Sequence, residues 1–193
     1  MLKHRLIVIT GETGTGKTTV SRYLTEQYDI QRVMTHTTRP KRCNEVEGVD
    51  YAFETPESFA QNHYIEDVTY AGYQYGSSYE SLYAVWQHAA FASIVLDTKG
   101  AVTYAQTLGP AVCTLFLTIE DPSILKKRLL ARGDDPAMVQ QRLASPEYQR
   151  DLLLPDELKA TATVIANDDW TVAKHNIDRF MKDLALAVAG IHR

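Results

Sequence analysis

A glycine-rich segment that ends in Lys-Thr has the residue types and the spacing needed to hold a chain of phosphates. Residues 11–18 read Gly-Glu-Thr-Gly-Thr-Gly-Lys-Thr and match the pattern G-x-x-x-x-G-K-[ST] at every fixed position. Glycines let successive backbone N–H groups surround an anion, because positive φ costs them little and they carry no Cβ. Lys17 supplies a cation for the β- and γ-phosphates, and the Thr18 hydroxyl is a candidate Mg²⁺ ligand. The segment predicts a nucleoside triphosphate site formed by Gly11, Glu12, Thr13, Gly14, Thr15, Gly16, Lys17, Thr18 and Thr19.

A second group of candidate phosphate ligands follows in a loop that contains proline. Residues 37–42 read Thr-Thr-Arg-Pro-Lys-Arg and place three cations within four residues. Tyr51 and Tyr75 follow downstream. Arginine forks and tyrosine hydroxyls are the donors expected around a phosphate monoester. A basic cluster by itself is more often a solvated surface, but together with these tyrosines it indicates a second phosphate site.

Three further charged residues have positions that fit phosphate chemistry. Asp97 directly follows the apolar run Ile94–Leu96. An aspartate at the end of a buried strand is typical of the Walker B acid, which helps to coordinate Mg²⁺. Arg128 and Arg132 are four residues apart, so both project from one face of a helix. That spacing fits equally well with arginines that solvate an amphipathic helix.

Short apolar runs alternate with longer helix-period segments along the chain. The runs at 6–9, 93–96, 112–119 and 162–166 fit strands buried on both faces. Residues 17–28 have a helical period, a terminal helix starts at about residue 171, and Thr55-Pro56 and Asp121-Pro122 are helix-start signals. The alternation predicts an α/β fold with a mostly parallel sheet, in which the glycine-rich segment joins the first strand to the first helix.

Two segments interrupt this alternation. Residues 35–80 contain few helical signals and many tyrosines, and Ala71-Gly72 separates two β-rich stretches that predict a hairpin. We therefore predict a core of residues 1–34 and 81–193 with a partly antiparallel insertion at 35–80. The polar segment from about 132 to 142 contains Gly-Asp-Asp-Pro between arginines and predicts a mobile flap within the core.

Composition and charge narrow the class of protein. The 193 residues are 45% hydrophobic and 23% charged, which excludes a disordered or fibrous protein. The net charge of −4 provides no overall field that attracts nucleic acid or an anionic membrane. Two cysteines form no disulfide framework, and no apolar stretch has the length of a signal peptide or a membrane span. We expect a cytoplasmic protein that binds neither nucleic acid nor membrane, with a monomer and a homodimer both left open.

Several motifs in register, from Ile7 to about Asp169, make the chain resemble the guanylate kinases, a family of P-loop nucleoside monophosphate kinases. Besides the P-loop, the motifs include Thr-Thr-Arg-x-x-Arg, Glu-Val-x-Gly-x-Asp-Tyr-x-Phe, Tyr-Gly-[ST], Lys-Arg-Leu-x-x-Arg-Gly and a late Asn-Asp-Asp. This sequence has them in order and at close to the family's spacing. The resemblance implies a P-loop NTPase three-layer α/β fold, with a small mixed α/β nucleotide-binding insertion and a short helical lid at about 132–142.

The resemblance also implies a reaction and a set of residues. The protein would transfer the γ-phosphoryl group of ATP to GMP, giving ADP and GDP, with Mg²⁺ as cofactor. The implied GMP-binding residues are Thr35, Arg39, Arg42, Tyr51, Glu66, Tyr75, Ser77 and Asp97. The implied ATP-binding residues beyond the P-loop are Arg128, Arg132, Asn167 and Asp168. The implied catalytic residues are Lys17, Arg39, Arg132 and Arg142.

The chemistry of guanine supports the role that the resemblance gives to Glu66. Guanine presents N1–H and the 2-amino group as adjacent donors, and a carboxylate accepts both. Adenine lacks this donor pair and would leave Glu66 desolvated and unpaired, a penalty of ~1–3 kcal/mol or more. Asp97 has two candidate roles, because the residue pattern favours a metal ligand with Thr18 and the resemblance favours the guanine side.

Three departures from the family pattern keep two alternatives open. Glu12 replaces the usual proline, Thr35 replaces serine, and Thr98-Lys99 stands where an apolar residue and glutamine are usual. One alternative is a related P-loop kinase that acts on another phosphorylated acceptor. The other is a non-catalytic guanylate-kinase-like binding module, although such modules typically have degraded P-loops and this chain retains Lys17 and Thr18.

Overall fold

The computed structural model describes residues 4–190 except 43–44, 71, 132–139 and 141–142. Its strands are β1 (Arg5–Thr10), β2 (Gln31–Arg32), β3 (Thr35–Thr37), β4 (Ala52–Phe53), β5 (Tyr64–Tyr70), β6 (Tyr73–Ser78), β7 (Phe91–Val95), β8 (Val112–Thr118) and β9 (Thr163–Ala166). The α-helices in the described part of the chain include α1 (Lys17–Tyr28), α2 (Pro56–Phe59), α3 (Tyr79–Trp86), α4 (Thr98–Leu108), α5 (Pro122–Ala131), α6 (Pro146–Asp151) and α7 (Trp170–Ala189). Short 3₁₀ turns lie at Gly109–Ala111 and Asp156–Leu158.

A five-stranded parallel sheet in the order β2-β7-β1-β8-β9 forms the middle layer. Successive side chains of the central strand β1 point to opposite faces, as the strand period requires. Leu6 and Val8 pack with residues of α3 and α4, whereas Ile7 and Ile9 pack with residues of α1 and α7. Helices therefore cover both faces of the sheet, and the predicted α/β fold with a mostly parallel sheet is confirmed.

A second, mixed sheet has the order β4-β3-β6-β5. Its strands β5 and β6 form an antiparallel hairpin, which confirms the hairpin predicted around residues 71–72. β6 also pairs antiparallel with β3, and β3 pairs parallel with β4. Ile65 of this sheet belongs to the same buried cluster as Leu6 of the central sheet, so the two sheets share a core.

The sequence patterns predict the chain order of these elements well where local signals are strong. The helix predicted at 17–28 has those bounds, and the four predicted strands of the main sheet agree to within about two residues. The sequence patterns did not predict helix α4. Its Asp97 N-cap accepts a hydrogen bond from the Gly100 N–H at 2.7 Å, but its first turn contains Gly100 and a β-branched residue, both poor helix formers. The predicted lid residues Arg132 and Arg142 lie outside the described residues.

Helix length and polarity also bear on the question of membrane insertion. Within the described part of the chain, no helix combines the length and the apolar character that a bilayer crossing requires.

Candidate active site

The glycine-rich loop joins β1 to α1 and leaves the N-terminus of the helix open. Gly11, Gly14 and Gly16 have positive φ values of 125°, 86° and 95°. No side chain caps α1, so the orphan N–H groups of its first turn are available to an anion. A Cβ at Gly11 would lie 2.3 Å from the Leu117 carbonyl oxygen of β8, so a side chain does not fit there. The loop has the geometry of a phosphate cradle.

Lys17 lies folded over this loop. Its Nζ donates to the carbonyl oxygens of Gly11 at 2.5 Å and Glu12 at 2.8 Å. The Thr15 hydroxyl donates to the same Glu12 carbonyl at 2.9 Å, which closes the loop from inside. Thr18, at the second position of α1, is exposed and Thr19 is half-buried. Lysine and threonine therefore stand where the sequence predicts them, at the mouth of the cradle.

Glu12 is buried within the loop, with 5% of its surface exposed. Burial raises the pKa of its carboxyl to about 7; the Lys17 cation opposes this shift and the Asp151 charge adds to it. A substantial fraction of Glu12 is therefore protonated at neutral pH. Glu12 occupies the position where the family usually has proline. Because it is partly protonated, it places less negative charge beside bound phosphates than a fully ionised glutamate would.

A cavity of about 750 Å³ opens beside the loop, within the size range of small-ligand sites. Asn167 lies on its wall and donates from Nδ2 to the Thr15 carbonyl at 2.6 Å. Arg128 donates from Nη2 to the Asn167 carbonyl at 2.7 Å. Arg128 Nη1 and Asn167 Oδ1 are buried and have no hydrogen-bond partner within the described structure. Because both atoms are buried, a ligand in the cavity would reach this donor and this acceptor only if the two side chains turned toward it.

Near this cavity, Asp168 makes contacts that the sequence did not predict, and Trp170 lines the cavity although the sequence motifs did not select it. Asp168 accepts hydrogen bonds from the backbone N–H groups of Glu120 and Asp121, at 3.0 Å each, and so fixes the turn after β8. Trp170, which the sequence motifs do not single out, lines the cavity instead. Its signal would have been its place directly after Asn-Asp-Asp, at the first position of α7.

The second candidate phosphate site forms around Arg39. Its Nη1 and Nη2 bind the Glu45 carboxylate at 3.0 and 2.7 Å, in the two-pronged geometry that arginine favours. The guanidinium lies over the Tyr51 ring at 5.7 Å, and Tyr51 contacts Tyr75 edge to face at 6.4 Å. The hydrogen bonds from Arg39 and from the Arg42 N–H lower the pKa of Glu45 to about 2. The structure therefore brings Arg39, Tyr51 and Tyr75 together.

The Arg42 side chain points outward, unlike that of Arg39 in the same loop. The Arg42 side chain is 72% exposed, and its Nη1 lies 3.9 Å from the Glu45 carboxylate. Its backbone makes the shorter contacts with Glu45: the N–H donates to the Glu45 carboxylate at 2.8 Å, and the carbonyl accepts from the Glu45 N–H at 3.1 Å. Its predicted role in binding a phosphate requires a different side-chain rotamer.

Three adjacent strands carry the residues predicted to read the base. Thr35 of β3 is opposite Ser77 of β6, and Ser77 is opposite Glu66 of β5. Ser77 Oγ donates to Glu66 Oε2 at 3.4 Å. Burial, and then the charge of Asp97, raises the pKa of Glu66 to about 7. Two hydroxyls and one carboxyl thus form a row across the second sheet.

Asp97 lies next to this row, at the start of α4. A Cβ on Gly100 would be 3.3 Å from Asp97 Oδ1 and 3.5 Å from Glu66 Cδ, so both carboxyl groups adjoin Gly100. Asp97 Oδ1 accepts the Gly100 N–H at 2.7 Å, and Oδ2 pairs with Arg150 Nη2 at 2.8 Å. Both oxygens have protein partners. Asp97 therefore lies beside the residues that are predicted to read the base.

The two candidate sites open into a common space. A cavity of about 260 Å³ is lined by Thr18 of α1 together with Thr35 of β3 and Tyr51. Thr18 belongs to the phosphate cradle, whereas Thr35 and Tyr51 belong to the second site. Residues separated by up to 33 positions in the sequence therefore face each other across one cavity.

Comparison with known proteins decides the family. The model of the guanylate kinase family matches residues 3–184. This chain belongs to the guanylate kinase family. It is 32% identical over 172 residues to the guanylate kinase of Chlamydia caviae, covering 86% of this chain and 81% of that one. It is 30% identical over 181 residues to the guanylate kinase of Neisseria meningitidis serogroup A, covering 91% and 85%.

The fold of a solved guanylate kinase agrees with this assignment. The crystal structure of the enzyme from Anaplasma phagocytophilum superposes with a TM-score of 0.64, at 22% identity, over 96% of this chain and 86% of that one. The resemblance inferred from the motifs is thereby confirmed. The roles of the individual site residues in a guanylate kinase reaction stay predictions.

Proposed function

We propose that this guanylate kinase family member transfers the γ-phosphoryl group of ATP to GMP, giving ADP and GDP. The observation that carries the proposal is the cavity that Thr18 of the P-loop shares with Thr35 and Tyr51 of the second sheet. Thr18 also lines the larger cavity at the P-loop, so the two nucleotides would meet at this residue. Phosphoryl transfer requires the attacking and leaving oxygens to be in line. Membership of the family favours the same reaction.

The donor nucleotide would bind at the P-loop. Its phosphates would contact the glycine backbone and the open N-terminus of α1. Lys17 holds the carbonyls of Gly11 and Glu12 in the free protein, and would exchange at least one of them for a phosphate oxygen. Arg128 and Asn167 line the cavity beside the P-loop, and their Nη1 and Oδ1 atoms, which are buried without partners among the described residues, would supply a donor and an acceptor to ATP if the side chains turned toward it. Outside the described residues, Arg132 and Arg142 would add positive charge during transfer.

The acceptor phosphate would bind at Arg39, Tyr51 and Tyr75. In the free protein Glu45 occupies the guanidinium fork of Arg39. A phosphate monoester carries two negative charges against one for the carboxylate, so it competes well for the same donors. Glu45 thus holds Arg39 in a binding orientation before the acceptor arrives. No general base is needed, because the acceptor phosphate is already a nucleophilic dianion.

The acceptor base would be read by the row of Thr35, Ser77 and Glu66, with Asp97 beside it. Ionised Glu66 can accept from guanine N1–H and from the 2-amino group. An adenine in its place would leave a buried carboxylate without donors, at a cost of about 1–3 kcal/mol or more. The site therefore favours a guanine nucleotide.

The oxygen ligands around the P-loop fit Mg²⁺. This ion keeps several waters and takes one or two protein ligands together with substrate phosphates. Among the described residues no group of three or more His, Cys, Asp or Glu side chains could hold a metal, which suits a site that ATP completes. Thr18 is the residue that would bind the ion, and Asp97 is less suited because both its oxygens have partners. The ion held there would supply positive charge that offsets the charge developing on the phosphates during transfer.

The experiment that tests this function offers GMP, dGMP, AMP, CMP and UMP with ATP and Mg²⁺ in a coupled assay of ADP release. We expect kcat/KM for GMP to exceed that for AMP by about 100-fold or more. Preferred turnover of another acceptor would identify a related kinase instead. Nucleotide binding without any turnover would identify a binding module, although the intact Lys17 and Thr18 argue against that outcome.

We also propose that the enzyme works in the cytoplasm, where ATP is available as a substrate. Nucleic acid and membranes are not partners in this proposal, because the net charge of −4 gives no overall attraction for polyanions. The site residues named above come from one chain, so the proposed reaction is compatible with a monomer or a homodimer.

A further inference from the structure

The last two residues of α6 are joined to the first residue of α4 by a group of charged hydrogen bonds. Arg150 Nη2 is 2.8 Å from Asp97 Oδ2, and Arg150 Nε is 2.9 Å from Asp151 Oδ1. Arg150 Nε also donates to the Thr98 hydroxyl oxygen at 3.2 Å. Asp151 Oδ1 accepts from the Thr98 hydroxyl at 2.5 Å and from the Thr98 N–H at 3.3 Å. Arg150 therefore lies fixed between two carboxylates.

This group also reaches the P-loop. The Asp151 charge contributes, after burial, to the raised pKa of Glu12, and the Glu12 charge contributes in the same way to that of Tyr148 on α6. Tyr148 of α6 also packs on Leu125 and Leu129 of α5, and Leu125 approaches Gly14 of the P-loop. Helix α6 therefore connects to the P-loop through α5 and to the start of α4 through Arg150 and Asp151.

Arg150 holds one carboxylate oxygen of Asp97, and the Gly100 N–H holds the other. The Asp97 side chain is 43% exposed, so it has room to turn toward solvent. At Glu66 the charge of Asp67 on β5 adds to that of Asp97, and Lys99 on α4 opposes both, whereas Asp151 on α6 pairs with Arg150. The Glu66 charge in turn contributes, after burial, to the raised pKa of Tyr104 on α4. Removal of Arg150 would leave the carboxylates with little compensation, and their mutual repulsion favours a turned-out Asp97.

We propose that Arg150 is a positioning residue of the acceptor site, which holds Asp97 beside Glu66 so that both carboxylates face the guanine base. The inference rests on the proposed function, because it concerns the GMP site. Arg150 acts through Asp97 and does not itself contact the acceptor. The sequence gives no sign of this role, since Arg150 and Asp97 are 53 residues apart and belong to no common motif.

The test compares Arg150→Met and Arg150→Lys with the parent protein. The readouts are kcat, the KM for GMP and the KM for ATP, together with GMP binding by calorimetry. We expect Arg150→Met to raise the KM and the Kd for GMP about tenfold, with the KM for ATP and kcat within about twofold. Arg150→Lys keeps the cation but loses the fork, and should recover about half of the loss on a logarithmic scale. Arg179→Met, which removes an exposed arginine of α7, is the matched control.

A double-mutant cycle shows whether the effect passes through Asp97. On an Asp97→Asn background, Arg150→Met should change the KM for GMP by less than about twofold, because the interaction is already lost. Full additivity of the two substitutions would overturn the proposal. An equal rise in both KM values, or a fall in kcat with unchanged GMP binding, would overturn it too, since the latter indicates direct contact with the transferred group.

The same measurements separate this inference from the proposed function. A parent protein that neither binds nor phosphorylates GMP would contradict the proposed function. A parent protein that does both, together with an Arg150→Met variant that behaves like Arg179→Met, would contradict only the role of Arg150. Arg150 is 38% exposed at its side chain, so the methionine variant is expected to fold, and circular dichroism checks that it does.

Discussion

Glu66 must satisfy two opposing demands at the scale of a single residue. Its partial burial, where β5 packs on α4, lowers its contact with water, and hydrogen bonds to a base discriminate more strongly in such surroundings. The same burial, with the charge of Asp97, raises its pKa to about 7 and thus favours the neutral form, which cannot accept from both guanine donors. Guanine binding must therefore shift Glu66 toward its ionised form, and the affinity for GMP should depend on pH.

The pH dependence of GMP use provides a test of Glu66. Because the carboxylate is the binding form and its pKa lies near 7, kcat/KM for GMP should fall about tenfold between pH 8 and pH 6. The Glu66→Gln variant should lose about 100-fold in kcat/KM at pH 8 and should lack this titration. The phosphate of GMP titrates in the same range for both proteins, so the difference between their profiles isolates Glu66. Parallel profiles would show that Glu66 does not bind the base in its ionised form.

Glu12 carries a stability cost that depends on pH. Its pKa rises from 4.5 to about 7 on folding, so the folded state binds more protons than the unfolded state between those values. Stability from this group therefore decreases as pH increases from 4.5 to 7, and stays reduced above 7. The Glu12→Gln substitution should raise Tm by about 2–4 °C at pH 8 and have no effect at pH 4. Glu157→Gln at an exposed position is the control, and an equal gain at both pH values would contradict the assignment.

At the scale of elements, the P-loop is held tightly between β1 and β8. Gly11 has a φ of 125°, and the carbonyl of Leu117 occupies the place where its Cβ would be, at 2.3 Å. Gly72 also has positive φ, 80°, but nothing lies within 4 Å of its Cβ position. A side chain at Gly11 would therefore cause both backbone strain and a steric clash, whereas a side chain at Gly72 would cause backbone strain alone. Comparing the two positions separates the two effects.

The pair of alanine variants tests this packing. Gly72→Ala should cost about 1 kcal/mol from strain, which lowers Tm by about 2–4 °C. Gly11→Ala should lower Tm by more than twice as much, because β8 must also move, and it should weaken ATP binding. Thermal unfolding by calorimetry and a KM for ATP supply the measurements. Similar Tm values for the two variants would mean that Gly11 does not pack closely against β8.

At the scale of the whole molecule, the two sheets share one hydrophobic core. Ile65 of β5 and Leu82 of α3 belong to the same buried cluster as Leu6 and Val8 of β1. A ligand that binds the second sheet should therefore stabilise the whole fold and not a separate unit.

Thermal unfolding with and without nucleotide tests this continuity. GMP at 100 times its Kd adds about 2.7 kcal/mol and should raise the Tm of a single transition by about 5–10 °C. AMP at the same concentration should raise it by less than about 2 °C. Two separate transitions, of which GMP shifts only one, would show that the second sheet unfolds independently of the core.

The amino-acid sequence by itself determined the features that depend on neighbours in the chain. The glycines of residues 11–16, the helix that starts at Lys17 and the alternating apolar runs each have a local physical cause, namely backbone freedom, helical period and burial of a strand. The motifs in register likewise identified the guanylate kinase family before any contact was known, and the family comparison confirmed it.

Only the tertiary structure decided the features that depend on distances between remote segments. It placed Arg150 of α6 on Asp97 of the β7–α4 junction and brought Tyr51 into contact with Tyr75. It also set the raised pKa values of Glu12 and Glu66, because desolvation depends on what the whole fold packs around a carboxyl group. Local sequence fixes which groups are present, whereas packing fixes which of them meet and in what charge state.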